Sequence, residues 1–166
     1  EFVEQPCADL EDVAAVRRRV DIAIAVGTSI SDAAEPMRLR LADCADIAVL
    51  TVGALGGVRR ALRVAETSAL PCIVAGELQS SIGIAGGLAL AGVLPDVGFA
   101  SALGSARLLS GDLVSDARSL IPFDGYLPVA PMPPAPDPDR LRQFAPPDPA
   151  TEARWRALLT AAQAYI

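Results

Sequence analysis

Four short runs of uninterrupted apolar residues punctuate the first hundred positions: Ile22 to Val26, Ile47 to Leu50, Pro71 to Val74 and Val97 to Ala100. Their starts lie about 25 residues apart, the length of one strand, one helix and two loops, so each run predicts a strand of a βαβ unit. Runs without alternation suit a parallel sheet, which is covered on both faces. The opening Phe2-Val-Glu-Gln reads as the tail of an earlier strand.

Between the runs, apolar residues fall at helical spacing. Leu10, Val13, Ala14, Val16 and Val20 predict a first helix. A second is expected from Asp32, which can cap, with Glu35 placed to reach back, Pro36 in the first turn, and Leu39, Leu41 and Ala42 following. A third runs from about Gly57 to Ser68, with Val58, Ala61, Leu62 and Ala65 inward. The fourth opens after Ser80 and Ser81, both suitable N-caps, and carries Ile84, Leu88 and Leu90. A shorter helix is expected around Ser105 to Leu109. The chain divides into βα units over 1–125, a Pro- and Asp-rich stretch over 126–150 read as an extended arm without regular helix, and a C-terminal helix over 151–166 with Trp155, Leu158 and Leu159. Such an α/β order closes either as a doubly wound open sheet or as part of a (β/α)8 barrel. No GxGxxG or GxxxxGK[ST] follows any strand, so a nucleotide-binding reading loses support.

Composition narrows the chemistry. The chain has no histidine and no lysine, and all fourteen basic residues are arginine. Arginine stays protonated and is a poor proton shuttle, so acid–base work would fall to carboxylates, cysteines or tyrosines. With a net charge of −6, no basic face offers itself to nucleic acid. The densest basic run, Arg17 to Arg19, lies among Glu11, Asp12 and Asp21 and reads as a solvated helix end rather than a phosphate site. The longest apolar run, Ile82 to Leu94, ends at Pro95 and falls short of the roughly 20 residues a bilayer span needs. No membrane contact is expected. Cys7, Cys44 and Cys72 form no disulfide or metal pattern and read as reduced, mostly buried thiols. The start lacks the basic region of a signal peptide, so a cytoplasmic location is expected.

If the units close as a barrel, chemistry belongs at the carboxyl ends of the strands. Those ends are Glu4, Gly27-Thr28, Thr51-Val-Gly53, Ala75-Gly-Glu77 and Ser101. Val3-Glu4-Gln5-Pro6-Cys7, Leu55-Gly56-Gly57-Val58-Arg59, Ser81-Ile-Gly83-Ile-Ala85 and Leu88-Ala-Leu-Ala91 fall in one register, and over about Val3 to Gln143 the chain resembles o-succinylbenzoate synthase of the enolase superfamily, in the muconate-lactonising branch. The resemblance implies the C-terminal half of a (β/α)8 TIM-type barrel, about four βα units plus the Pro-rich arm. It further implies a Mg²⁺-dependent dehydration in menaquinone biosynthesis. There a lysine removes the proton beside a carboxylate and the metal stabilises the enediolate. In that family carboxylates at the ends of barrel strands three, four and five hold the metal, and lysines on the second and sixth move the proton.

Carried over by residue, the resemblance places Glu4 at the fourth-strand metal ligand. Where the family's fifth strand ends in Asp-Glu-Ser, this chain has Gly27-Thr28-Ser29, and Thr51 stands at the sixth-strand lysine. A Ser-Ser pair after the seventh strand is Ala75-Gly76 here. No catalytic residue is therefore assigned. The expected pocket is Gly27, Thr28, Thr51, Gly56, Gly57, Glu77 and Ser101, with Glu4 as a weak metal position and Mg²⁺ implied by resemblance only. Glu77 is a replacement base or ligand, or a solvent-facing loop acid. Gly56 and Gly57 either present N–H groups to a substrate carboxylate or make a tight turn. Three functions stay open: a non-catalytic binding or assembly half-barrel, one subunit of a split synthase, and a portion of an ordinary synthase with altered residues. A half-barrel is expected to expose two sheet edges and an apolar inner face, and so to pair with itself or with an N-terminal half-barrel chain.

Overall fold

The structure, a computed structural model, describes residues 1–129, 135–146 and 148–164. Strands β1 (Phe2–Glu4), β2 (Ala23–Val26), β3 (Ile47–Leu50) and β4 (Cys72–Val74) form one sheet in the order β1-β2-β3-β4. Every pairing is parallel, with Glu4 beside Ala25, Ala25 beside Ile47 and Leu50 beside Val74. Helices α1 (Leu10–Arg17), α2 (Thr28–Ser31), α3 (Val58–Ser68) and α4 (Ser81–Ala91) intervene, and α5 (Pro138–Gln143) and α6 (Pro149–Gln163) follow. This parallel α/β order is that of the C-terminal half-barrel that the resemblance implies.

Alternation sorts the strand residues onto two faces. Ile24, Val26, Ala48, Leu50 and Val74 pack outward into a core with Val13, Ala61, Val64, Ile84 and Leu90. Ala25, Ile47, Val49 and Ile73 face inward, where Phe2, Val97 and Phe99 cover them. The rings of Phe2 and Phe99 meet edge to face with centroids 5.5 Å apart. The inner face expected to lie bare is therefore sealed within the chain: Ala25 is fully buried and Ile73 only 5% exposed.

The fourth apolar run does not form a strand. Asp96 accepts the N–H of Gly98 at 2.9 Å, and Gly98 takes φ +74°, a turn that folds Val97 and Phe99 across the inner face. The chain reaches the β4 edge only at Ser101–Ala102: Ala102 N–H donates to the Val74 carbonyl at 2.8 Å, Gly76 N–H to the Ala102 carbonyl at 2.8 Å, and Val74 N–H to the Ser101 hydroxyl at 3.2 Å. One of the two expected open edges is thus occupied.

The second expected helix is also different. A single turn, α2, ends at Asp32, which closes it rather than opening the next helix. Pro36–Arg38 and Leu41–Asp43 are separate 3-10 turns, because Leu39 is extended (ψ 135°) and Arg40 lies outside the helical region. The first helix stops at Arg17, leaving Val20 40% exposed beyond it. The expected short helix is a 3-10 turn, Ser105–Leu108. Arg17 of the basic run is not free in solvent: its guanidinium donates to Asp46 Oδ1 at 2.7 and 2.9 Å. That guanidinium holds the Asp46 carboxyl below the usual carboxylate range, although burial opposes the shift.

The stretch expected to lack helix contains α5. Asp137 accepts the N–H groups of Asp139 and Arg140, and Pro138 occupies the first helical position, where a missing N–H costs nothing. Asp148 and Pro149 repeat the device, so α6 starts two residues before its expected boundary. Within these two segments, 130–134, 147 and 165–166 lie outside the described residues. No residue of α6 is buried. Among the described residues no helix is long and apolar enough to cross a membrane.

Burial separates the three free thiols. Burial pushes the Cys44 thiol above its ordinary value, assisted by the Asp43 carboxylate, and burial likewise raises Cys72. Cys7 is only half-buried. Native-state alkylation monitored by mass spectrometry is expected to label Cys7 first, with Cys44 and Cys72 slower by about tenfold or more. Equal rates at all three would contradict this burial pattern.

Candidate functional site

The inner alternation that buries Ala25, Ile47 and Val49 carries Glu4, Gly27 and Thr51 to the carboxyl ends of β1, β2 and β3. Glu4 and Gly27 meet there, and Thr51 follows the end of the neighbouring strand. A Cβ placed on Gly27 would lie 2.5 Å from Glu4 Oε1 and 3.2 Å from Val49 Cβ. The Glu4 carboxylate thus occupies the space a side chain at position 27 would take. Thr28 is exposed at the start of α2, and Thr51 is half-buried.

Gln5 fixes this corner, and the sequence reading assigned it no part. It adopts φ +46°, and its N–H donates to the Ala25 carbonyl at 2.8 Å. Its side-chain carbonyl accepts the N–H groups of Gly27 (3.3 Å) and Ser29 (3.2 Å). Its amide donates to the Ser29 hydroxyl (2.7 Å) and the Cys7 carbonyl (2.9 Å). One side chain therefore ties the end of β1 to the β2–α2 turn, using both its acceptor and its donor. The only local signal for this was a polar residue between a strand end and Pro6.

On the next rim, Gly56 (φ +79°) and Gly57 (φ +120°) turn the chain into α3 in a conformation that favours glycine. Nothing lies within 4 Å of a Cβ placed on Gly57, so the space before α3 is open. Glu77 is exposed; its Oε2 lies 3.4 Å from a Cβ placed on Gly53, and Gln79 Nε2 lies 3.5 Å from the same point. The two side chains thus converge on the turn after β3. Ser101 sits apart, on the β4 edge, where its hydroxyl accepts the Val74 N–H.

Beyond β4 the rim is held by Asp112. Its Oδ1 accepts the N–H groups of Ser81 (3.0 Å) and Leu113 (2.8 Å), and its Oδ2 accepts the hydroxyls of Ser81 and Ser119 (2.7 Å). Ser81, fully buried at the first position of α4, in turn accepts the Leu120 N–H at 2.6 Å. Burial pushes the Asp112 carboxyl up, but these four donors outweigh it and hold the group below its ordinary value.

The implied Mg²⁺ does not fit these residues alone. Mg²⁺ asks for octahedral oxygen ligands, commonly with more than one carboxylate. Glu4 has no acidic neighbour at Gly27 or Thr28, and among the described residues no three His, Cys, Asp or Glu side chains converge. A mouth of one carboxylate, one threonine hydroxyl and glycine turns can bind and orient polar groups. Thr51, an unassisted hydroxyl, is too weak a base for a carbon acid.

Known proteins match this chain in sequence and in fold. The chain is 48% identical over 129 residues to an o-succinylbenzoate synthase of Thermobifida fusca (strain YX), covering 78% of this chain and 40% of that protein. It is 42% identical over 155 residues to one of Mycobacterium leprae (strain TN), covering 93% and 45%. The chain therefore spans less than half the length of these curated relatives. In solved structures, muconate lactonizing enzyme from Pseudomonas putida matches with a TM-score of 0.76 at 23% identity, over 88% of this chain and 42% of that one. N-succinyl Arg/Lys racemase from Bacillus cereus matches with a TM-score of 0.71 at 18% identity. These two likenesses are of fold, and their coverage is that of half a barrel. A family model described as Enolase C-terminal domain-like matches residues 1–133, and the chain belongs to that family.

Proposed function

We propose that this chain is the C-terminal half of an o-succinylbenzoate-synthase-type barrel whose strand ends bind and orient but do not transfer the proton. The observation that carries the reading is the mouth itself: Glu4 lies alone in the space beside Gly27, and Thr51 ends β3. Abstraction of a proton beside a carboxylate needs an amine or comparable base, and an unassisted hydroxyl is far too weak. Glu4, Thr51 and the open turn at Gly56–Gly57 form a wall against which a polar substrate can rest. Glu77 and Gln79 form its outer rim.

The purified chain, assayed with Mg²⁺ and the cyclohexadiene substrate of o-succinylbenzoate synthase, is expected to give no dehydration above the uncatalysed rate. Turnover by this chain alone would overturn the proposal.

A split synthase is the second reading, and one observation favours it. β1 ends the sheet with no neighbouring strand among the described residues, whereas the β4 edge is taken by Ser101–Ala102. An N-terminal half-barrel chain supplying a lysine and further acids would add its strand beside β1. Self-association through the same edge is the competing arrangement, and solution mass with and without such a partner separates the two.

A further inference from the structure

Three attachments bring the C-terminal arm back onto the loop that carries Asp112, and they bracket that residue. Asp137 N–H donates to the Leu113 carbonyl at 2.8 Å. Arg140 Nη2 meets Asp116 Oδ1 at 2.7 Å. The Phe144 ring lies so close over Gly111 that a Cβ there would be 2.1 Å from its Cζ. Anchors thus fall at 111, 113 and 116, on both sides of the carboxylate that holds the first turn of α4. An arm that merely trailed from the barrel would have no reason to bear a helix whose cap, cation and aromatic all address one loop.

We infer that α5 and its flanks form a clasp that sets the position of the 111–119 loop and, through Asp112 and Ser81, the rim between β4 and α4. The transmission is short. Leu113, gripped by Asp137, is the residue after Asp112, and Asp112 accepts both the N–H and the hydroxyl of Ser81. Gln79, two residues earlier, donates its N–H to the Ser105 hydroxyl at 3.4 Å, and its Cβ lies 2.9 Å from where a Cβ on Gly83 would be. A shift of the first turn of α4 therefore moves Gln79 and the adjacent Glu77. The arm acts as a positioning element for one side of the mouth, whatever chemistry the mouth performs. Its deletion would loosen that side while the sheet stayed intact.

Amide hydrogen exchange of the full chain tests this. Two N–H groups report on the loop: Ser81, bonded to Asp112, and Leu120, bonded to Ser81 Oγ. Two report on the sheet: Ile24, bonded to Asp46, and Ala48, bonded to Pro71. Phe144→Ala is expected to speed exchange at Ser81 and Leu120 by about tenfold while Ile24 and Ala48 stay unchanged, the pattern of a local opening. Gly111→Ala, which forces the ring away, should give the same pattern in the wild-type background and add nothing to Phe144→Ala. Unchanged exchange at Ser81 and Leu120 in Phe144→Ala would overturn the clasp, as would equal acceleration at all four amides.

Discussion

Asp112→Ala is expected to lower the free energy of unfolding by about 2–3 kcal/mol, since a buried donor left without its acceptor costs roughly 1–3 kcal/mol. The substitution strands two donors on Ser81, its N–H and its hydroxyl, at a residue with no exposed surface. It also frees the Leu113 N–H and the Ser119 hydroxyl, but these are half-buried and water can reach them. Asp112→Asn should cost less, because one oxygen remains to accept while the new amide meets donors. The pH dependence has a fixed sign. The folded-state carboxyl lies below its ordinary value, so its stabilisation is complete above the unfolded carboxylate pKa of about 3.9 and disappears as pH falls through the lower folded value. The gap in stability between wild type and Asp112→Asn should therefore narrow as pH falls below about 4. Urea unfolding at several pH values measures both quantities. A cost below about 0.5 kcal/mol for alanine, or a gap that widens toward acid, would show that the network does not hold α4.

How far the sequence anticipates this molecule depends on whether a feature is made by neighbours in the chain. β2, β3 and β4 are legible because a strand covered on both faces needs an apolar run, and such runs are visible one residue at a time. The run at Val97 to Ala100 looks the same in composition, yet Gly98 and the Asp96 side chain turn it, and pairing resumes at Ala102. Prolines mislead in both directions. Pro36 sits where a helix was expected and only a 3-10 turn forms, whereas Pro138 opens a helix that the proline density of the arm conceals and Pro149 opens the expected C-terminal helix two residues early. The Asp-Pro pairs at 137–138 and 148–149 are cap and first position, a signal present in the sequence and readable by capping rules. At the site, motif register places Glu4, Gly27 and Thr51 at neighbouring strand ends. It says nothing of the carboxylate lying in the space beside Gly27, which depends on the side chain a neighbouring strand lacks. Asp112 is illegible for a stronger reason. Its principal partner, Ser81, lies 31 residues away, and no local pattern marks an aspartate that caps a distant helix.

Phe99→Ala is expected to cost about 2–4 kcal/mol, toward the lower end of buried Phe→Ala substitutions because the ring is only half-buried. The larger consequence concerns what the ring covers. Ile47 and Val49 are each 2% exposed and Ile73 5%, and the lid over them consists of Val97, Phe99 and Phe2. Removing Phe99 opens the inner face of the sheet to water in a chain where β1, among the described residues, already ends the sheet without a neighbouring strand. A contiguous apolar patch beside a free edge favours association. The variant should therefore bind a hydrophobic dye and sediment as a larger species at concentrations where the parent does neither. A double-mutant cycle isolates the ring contact: Phe2→Ala and Phe99→Ala should couple by about 0.5–1.5 kcal/mol, the range for edge-to-face aromatic pairs. Additive effects would mean that the two rings cover the sheet independently. A Phe99→Ala protein with unchanged dye binding and unchanged mass would mean that the inner face is closed by something other than this lid. Tight self-closure also bears on completion by a second chain. The β1 edge, unpaired among the described residues, runs in the plane of the sheet, whereas Phe99 packs on the inner face, so pairing and sealing use different surfaces of β1. Sealing the inner face and leaving the β1 edge unpaired among the described residues are thus compatible.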